Sequence, residues 1–225
     1  MKRLRWLLSI TLLGLFVACE KEEAPSFSYL ALGDSYTIGE GVAENERWPV
    51  QLAKRLSEQG NTERTPRIIA RTGWRTSALL HALYVVANPV QVYMVSLLIG
   101  VNNQVAGQSP ETFEPQLEEL LNRAIGRARG RNVRVFVLSI PDWGVTAFGK
   151  VFGGERISRE IDAYNAVCER ICAQYNVRYF NITPNSRLAE SDPDLLAPDN
   201  LHPSGIMYRQ WVDLIESEVK GLLEN

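Results

Sequence analysis

The 225-residue chain is poor in the side chains that hold metals: it has three cysteines and two histidines. No Cys-x-x-Cys pair and no histidine-rich cluster occurs, so neither a metal site nor a metal cofactor is expected. Charge of one sign is also scarce. Lys and Arg number 24 against 26 Asp and Glu, a formal net of −2, which provides no basic field for nucleic acid. Internal repeats, low-complexity segments and a second-domain boundary are all missing. The Gly-x-Ser-x-Gly nucleophile elbow is absent, because Thr37 stands two residues after Ser35. Gly39-Glu40-Gly41 is not a dinucleotide loop, since Glu44 occupies the third glycine position. What remains is ordinary globular composition, 45% apolar and 22% charged, in a chain long enough for one domain with a sizeable core.

Long hydrophobic runs are lacking as well. The run Trp6–Ala18 has 13 residues, too short to span a bilayer comfortably, and follows Lys2, Arg3 and Arg5. This is the layout of a signal peptide over residues 1–18. Its end, Phe16-Val17-Ala18-Cys19, resembles a bacterial lipobox, with Phe16 in place of the usual Leu. The resemblance implies cleavage before Cys19 and acylation of that cysteine; ordinary signal-peptidase cleavage after Ala18 is the alternative. Residues 19–26 then form a lipidated N-terminus and a charged tether, and residues 27–225 the folded domain. The expected location is the bacterial cell envelope, at the outer membrane or cell surface, with the lipid as membrane anchor and the protein a monomer.

Five apolar runs alternate with five helical patterns. The strands are read at Phe27–Leu32, Arg67–Ala70, Val90–Ile99, Val133–Ile140 and Val177–Ile182. The helices are read at about Glu46–Gln59, Thr76–Ala87, Pro110–Arg129, Ile157–Tyr175 and Pro203–Leu223, with loops over Tyr36–Asn45 and Thr183–Asn200. Near-continuous apolar strands are covered on both faces, which means a parallel sheet between helix layers. The expected fold is α/β: a flavodoxin-like three-layer α/β/α sandwich with a five-stranded parallel sheet in the order 2-1-3-4-5. Strands 1 and 3 are then neighbours at the topological switch point, and a site lies beyond their C-terminal ends.

Gly33-Asp34-Ser35 follows strand 1. Alone it is an ordinary turn. Of the two histidines, His81 is flanked by Leu80, Ala82 and Leu83 and reads as structural, whereas His202 lies in a loop entering the last helix, three residues after Asp199. A serine base must be a neutral imidazole whose other nitrogen is oriented by a carboxylate, and one turn of chain at a helix entrance can bring Asp199 back to His202. An Asp N-cap beside an exposed histidine would look the same locally. Together with Gly73 after strand 2 and Gly100-x-Asn102 after strand 3, these residues match in order the four blocks of the SGNH hydrolases, also called GDSL-type esterases, and the chain resembles that superfamily from about residue 27 to 215. Asn103 stands where many members have Asp.

The resemblance implies a serine esterase working through an acyl-enzyme. Ser35 is the nucleophile, His202 the base and Asp199 its orienter. The Ser35 and Gly73 amides and the Asn102 side chain form the oxyanion hole. No cofactor is implied. The partner is a small-molecule ester, either an acyl or lysophospholipid type or an acetylated carbohydrate. Trp74, Val101, Trp143, Phe148, Phe152 and Leu201 could line an acyl pocket, while Trp143 and Phe148 could equally stack on a sugar or sit in the core. A non-catalytic surface binding protein on the same fold is the second class. Cys168 and Cys172, four residues apart on one helix, read as buried thiols.

Overall fold

The computed structural model describes residues 28–58, 65–85 and 91–223. The signal segment, Cys19 and the tether lie outside the described residues. So do the expected end of the first long helix and the junction of the second helix with the third strand, at residues 59–64 and 86–90. Among the described residues, no helix is long and apolar enough to cross a membrane.

In chain order the main elements are β1 (Tyr29–Gly33), α1 (Ser35–Ile38), α2 (Trp48–Glu58), β2 (Arg67–Ala70), α3 (Thr76–Val85), β3 (Met94–Leu98), α4 (Val101–Val105) and α5 (Pro110–Arg127). They continue with β4 (Val135–Leu138), α6 (Ala147–Val151), α7 (Gly154–Gln174), β5 (Arg178–Phe180), α8 (Thr183–Ser186) and α9 (Gly205–Leu223). The five strands form one sheet in the order β2-β1-β3-β4-β5, every pair parallel. Right-handed crossovers then place α2 on one face and α3, α5 and α7 on the other. The packing agrees: α2 lies against α9, and α3, α5 and α7 pack side by side. This is the flavodoxin-like α/β/α sandwich expected. β1, β3 and β4 are buried along their whole length, so their apolar runs are unbroken by polar alternation.

Register brings the site together. Gly33 at the end of β1 pairs with Ala70 at the end of β2 and Leu98 at the end of β3. The three segments that follow therefore leave the sheet at one level. A Cβ on Gly33 would fall on the Thr37 hydroxyl and the Leu98 carbonyl, so only glycine lets β1 turn so closely past β3.

Several boundaries differ from the sequence reading. The expected loop after Ser35 begins with a helical turn, α1, because Asp34 caps it and Gly39, at φ +73°, closes it. The segment after Gly100 is also helical (α4) rather than a polar loop. β3 is shorter than expected, because the Val92 amide bonds to the Arg127 carbonyl instead of joining the ladder. α9 starts at Gly205, since Pro203 is held in a bridge with Leu196. Cys168 and Cys172 are free and buried, and burial pushes the Cys172 thiol up to about 12.

Candidate active site

Ser35 is the first residue of α1 and is 5% exposed. The Asp34 side chain accepts the Tyr36 amide proton at 3.1 Å, which fixes the turn. At the first helical position the Ser35 N–H has no intrahelical acceptor and remains a donor at the helix mouth. Asp34 itself is fully buried, and its Oδ2 has no hydrogen-bond partner. Burial raises its pKa to about 7, partly offset by the amides of Tyr36, Gly100 and Asp34.

Asp199 and His202 meet just before α9. The Asp199 Oδ2 lies 2.6 Å from His202 Nδ1, and its Oδ1 accepts the amides of Leu201 and His202, each at 2.9 Å. Burial alone would raise the Asp199 pKa. The hydrogen bonds from the His202 ring and from the two amides outweigh it and hold the carboxyl below the ordinary range. With Nδ1 facing a carboxylate, the ring's Nε2 is the nitrogen left for exchange with a substrate-side proton. The imidazole packs edge-on against Tyr36, the neighbour of Ser35, with ring centroids 5.6 Å apart. The start of α1 and the entrance to α9 thus form one corner of the molecule.

Gly73 sits in the turn closed by the Trp74 amide on the Arg71 carbonyl, at 3.1 Å. Its φ is +79°, as the third position of a type II turn requires, and an added Cβ would meet nothing within 4 Å. The left-handed conformation, not close packing, is what calls for glycine here. On α4, Asn102 donates from Nδ2 to the Trp74 carbonyl at 3.0 Å. That bond ties the turn to the end of β3 and leaves the second amide proton for another acceptor.

Asn103 is fully buried and grips the same turn from behind. Its Oδ1 accepts the Thr76 amide at 3.1 Å, and its Nδ2 donates to Thr76 Oγ1 and Gln108 Oε1, each at 2.7 Å. It therefore caps α3 from outside that helix. Thr72 and Glu40 add a hydrogen bond on the exposed side. The sequence reading noted Asn103 only as a departure from the usual Asp. No local spacing signals a bond to a residue 27 positions away.

The other residues expected to meet substrate are placed unevenly. Val101 and Trp143 are buried, Trp74 and Leu201 half-buried, and Phe148 and Phe152 exposed. Trp143, Leu201 and Tyr36 border one small cleft, and Trp143 and Phe152 line a larger cavity of about 780 Å³. His81 lies on the exposed side of α3. One ion pair with a buried partner was not foreseen: the buried Asp142 binds Arg187 through Oδ2 at 2.9 Å and anchors the segment that carries Trp143.

Comparison with known proteins bears on the family and the fold. Esterase TesA of Pseudomonas aeruginosa is 28% identical over 138 residues, 59% of this chain; the match spans 66% of that esterase, just under two thirds. The psychrotrophic esterase EstA from Pseudoalteromonas sp. superposes with a TM-score of 0.67 at 18% identity, covering 89% of this chain and 100% of its own. The lipase/acylhydrolase from Enterococcus faecalis does so with a TM-score of 0.67 at 22% identity, covering 86% and 96%. At these identities the two structures speak to the fold. Residues 31–210 match the family described as the GDSL-like Lipase/Acylhydrolase family, most of the chain and every element of the site. The chain belongs to the GDSL-like lipase/acylhydrolase family of hydrolases.

Proposed function

We propose that the protein is a serine esterase that cleaves carboxylic esters through an acyl-enzyme. The observation that carries this reading is the Asp199–His202 pair, 2.6 Å apart and packed against the residue beside Ser35. Ser35 Oγ attacks the ester carbonyl while His202 Nε2 takes its proton, then returns it to the leaving alcohol. Water, activated by the same imidazole, hydrolyses the acyl-enzyme. Asp199 stays ionised throughout, held by two amides, and stabilises the imidazolium. The developing oxyanion meets the Ser35 and Gly73 amides and the second amide proton of Asn102. The relative from P. aeruginosa, named as an esterase, supports this chemistry. The substrates are acyl esters or acetylated carbohydrates met at the cell envelope, where a lipid on Cys19 holds the enzyme.

The test is covalent labelling. A fluorophosphonate should modify Ser35, and Ser35→Ala should abolish both labelling and ester hydrolysis with little change in melting temperature. An adduct elsewhere, or undiminished turnover by the variant, overturns the assignment. A chain that neither labels nor hydrolyses would be a binding protein on a hydrolase fold.

A further inference from the structure

One cavity lies between α4, the start of α5 and α7, and a closed set of hydrogen bonds holds its wall. The cavity measures about 780 Å³, within the usual range for small-molecule sites, and its lining combines an apolar wall of Val105, Pro110, Trp143, Phe152 and Ala163 with a polar rim that includes Arg156, Arg159 and Glu160. Trp143 is shared between this cavity and the small cleft bordered by Tyr36 and Leu201, the neighbours in sequence of Ser35 and His202. Trp143, Phe148 and Phe152 form a run of rings, with centroids 6.2 and 5.0 Å apart.

Both ends of this aromatic segment are tied to one relay. The Trp143 indole N–H donates to Gln104 Oε1 at 2.9 Å, and Gln104 Nε2 donates to Glu160 Oε2 at 2.6 Å. Arg156 Nη1 donates to Glu160 Oε1 at 2.7 Å, and Arg156 Nη2 to the Phe152 carbonyl at 3.1 Å. An indole can only donate and a carboxylate can only accept, so the Gln104 amide has a single orientation that satisfies both. Gln104 is 6% exposed and lies two residues beyond Asn102 on α4. The relay thus spans α4, the aromatic segment and α7 around one cavity. Burial works against the Glu160 charge, but the bonds from Gln104 and Arg156 and the nearby Arg156 and Arg159 charges prevail and keep it ionised.

We propose that Gln104, Glu160 and Arg156 are positioning residues for specificity: they clamp the Trp143–Phe152 wall so that the cavity accepts the apolar chain of long acyl esters. This rests on the esterase reading and names its substrate class. An acetyl group does not fill the cavity, so the clamp matters to long chains and little to short ones.

Gln104→Glu sets two carboxylates against each other and breaks the relay. Gln104→Glu combined with Glu160→Gln restores every bond. The carboxylate now on α4 accepts from the Trp143 indole and from the amide now on α7, and the carbonyl oxygen of that amide accepts from Arg156. Steady-state kinetics on 4-nitrophenyl acetate and decanoate would be measured for the full chain and both variants. Wild type should favour decanoate, Gln104→Glu should lower the decanoate-to-acetate ratio of kcat/KM about tenfold, mainly through KM, and the double variant should recover most of it. Equal losses on both esters, no loss, or no recovery in the double variant would overturn the proposal. Quenching of tryptophan fluorescence by decanoate supplies a readout independent of turnover. Wild type should bind decanoate more tightly than Gln104→Glu, and equal binding sinks the clamp. Failure of all ester turnover together with an unlabelled Ser35 sinks instead the esterase reading.

Discussion

Asp34 shows how one residue serves the site at a cost to the fold. Its carboxyl caps the turn that presents Ser35, yet it is fully buried with one oxygen unpartnered. Its pKa is raised to about 7 in the folded chain, against ~3.9 for a free Asp. Between those values the folded state holds a proton that the unfolded state has lost. Stability therefore falls as pH rises through that window and levels off above it. Asp34→Asn keeps the cap and removes the charge, so its advantage in urea denaturation should grow from about pH 4 to 7 and then stay constant. An advantage that shrinks with rising pH would contradict the buried-charge account. Asn102 separates structure from chemistry at the same scale. Asn102→Ala loses the bond to the Trp74 carbonyl, about 1 kcal/mol of stability. Loss of the proposed oxyanion donor should lower kcat by roughly 10²–10³ with little change in KM. A folded variant keeping a third of wild-type kcat would remove Asn102 from the oxyanion hole.

Among the elements, the ends of β1, β2 and β3 carry the geometry, and Gly33 sets how closely they come. Gly33→Ala forces a methyl onto the Thr37 hydroxyl and the Leu98 carbonyl, so it should destabilise by about 1–3 kcal/mol or more. Activity should fall as well, because α1 must shift away from β3. Thermal unfolding with kinetics checks this, and an alanine variant of wild-type stability would refute the close approach. The helix-forming stretches were legible from their apolar spacing, as were the strands from their apolar runs. The short helices α1 and α4 were not, because one turn has no periodicity to read. Each rests on a cap: Asp34 for α1, and for α4 Gly100, at φ +133°, where a side chain would strike Ile140.

At the scale of the molecule, the sheet order puts the proposed catalytic residue Ser35 at the switch point, with α2 and α9 on one face and α3, α5 and α7 on the other. The proposed lipid on Cys19 concerns the whole chain too, since it decides which surface the enzyme patrols. A single acyl chain holds a membrane marginally, whereas the several chains of a bacterial lipoprotein hold it stably. Cys19→Ser should release the protein into the soluble fraction or block its processing, as fractionation and mass spectrometry would detect. A wild type that is wholly soluble with unmodified Cys19 would leave plain secretion.

Element order and the parallel sheet followed from the sequence alone, because apolar periodicity and turn residues are local properties of the chain, while the Ser35, Asp199 and His202 candidates came from the resemblance of four short blocks to the SGNH hydrolases. Asp199 could meet His202 through one turn, and it does. The folded chain decided what lies between distant segments. Asn103 reaches Thr76 across 27 residues, Gln104 reaches Trp143 across 39 and Glu160 across 56, and Tyr36 near the start of the fold meets the ring of His202 near its end. None of these contacts has a spacing rule. They exist because parallel strands return the chain to the same sheet edge after each helix, so that side chains remote in sequence emerge together at the strand ends.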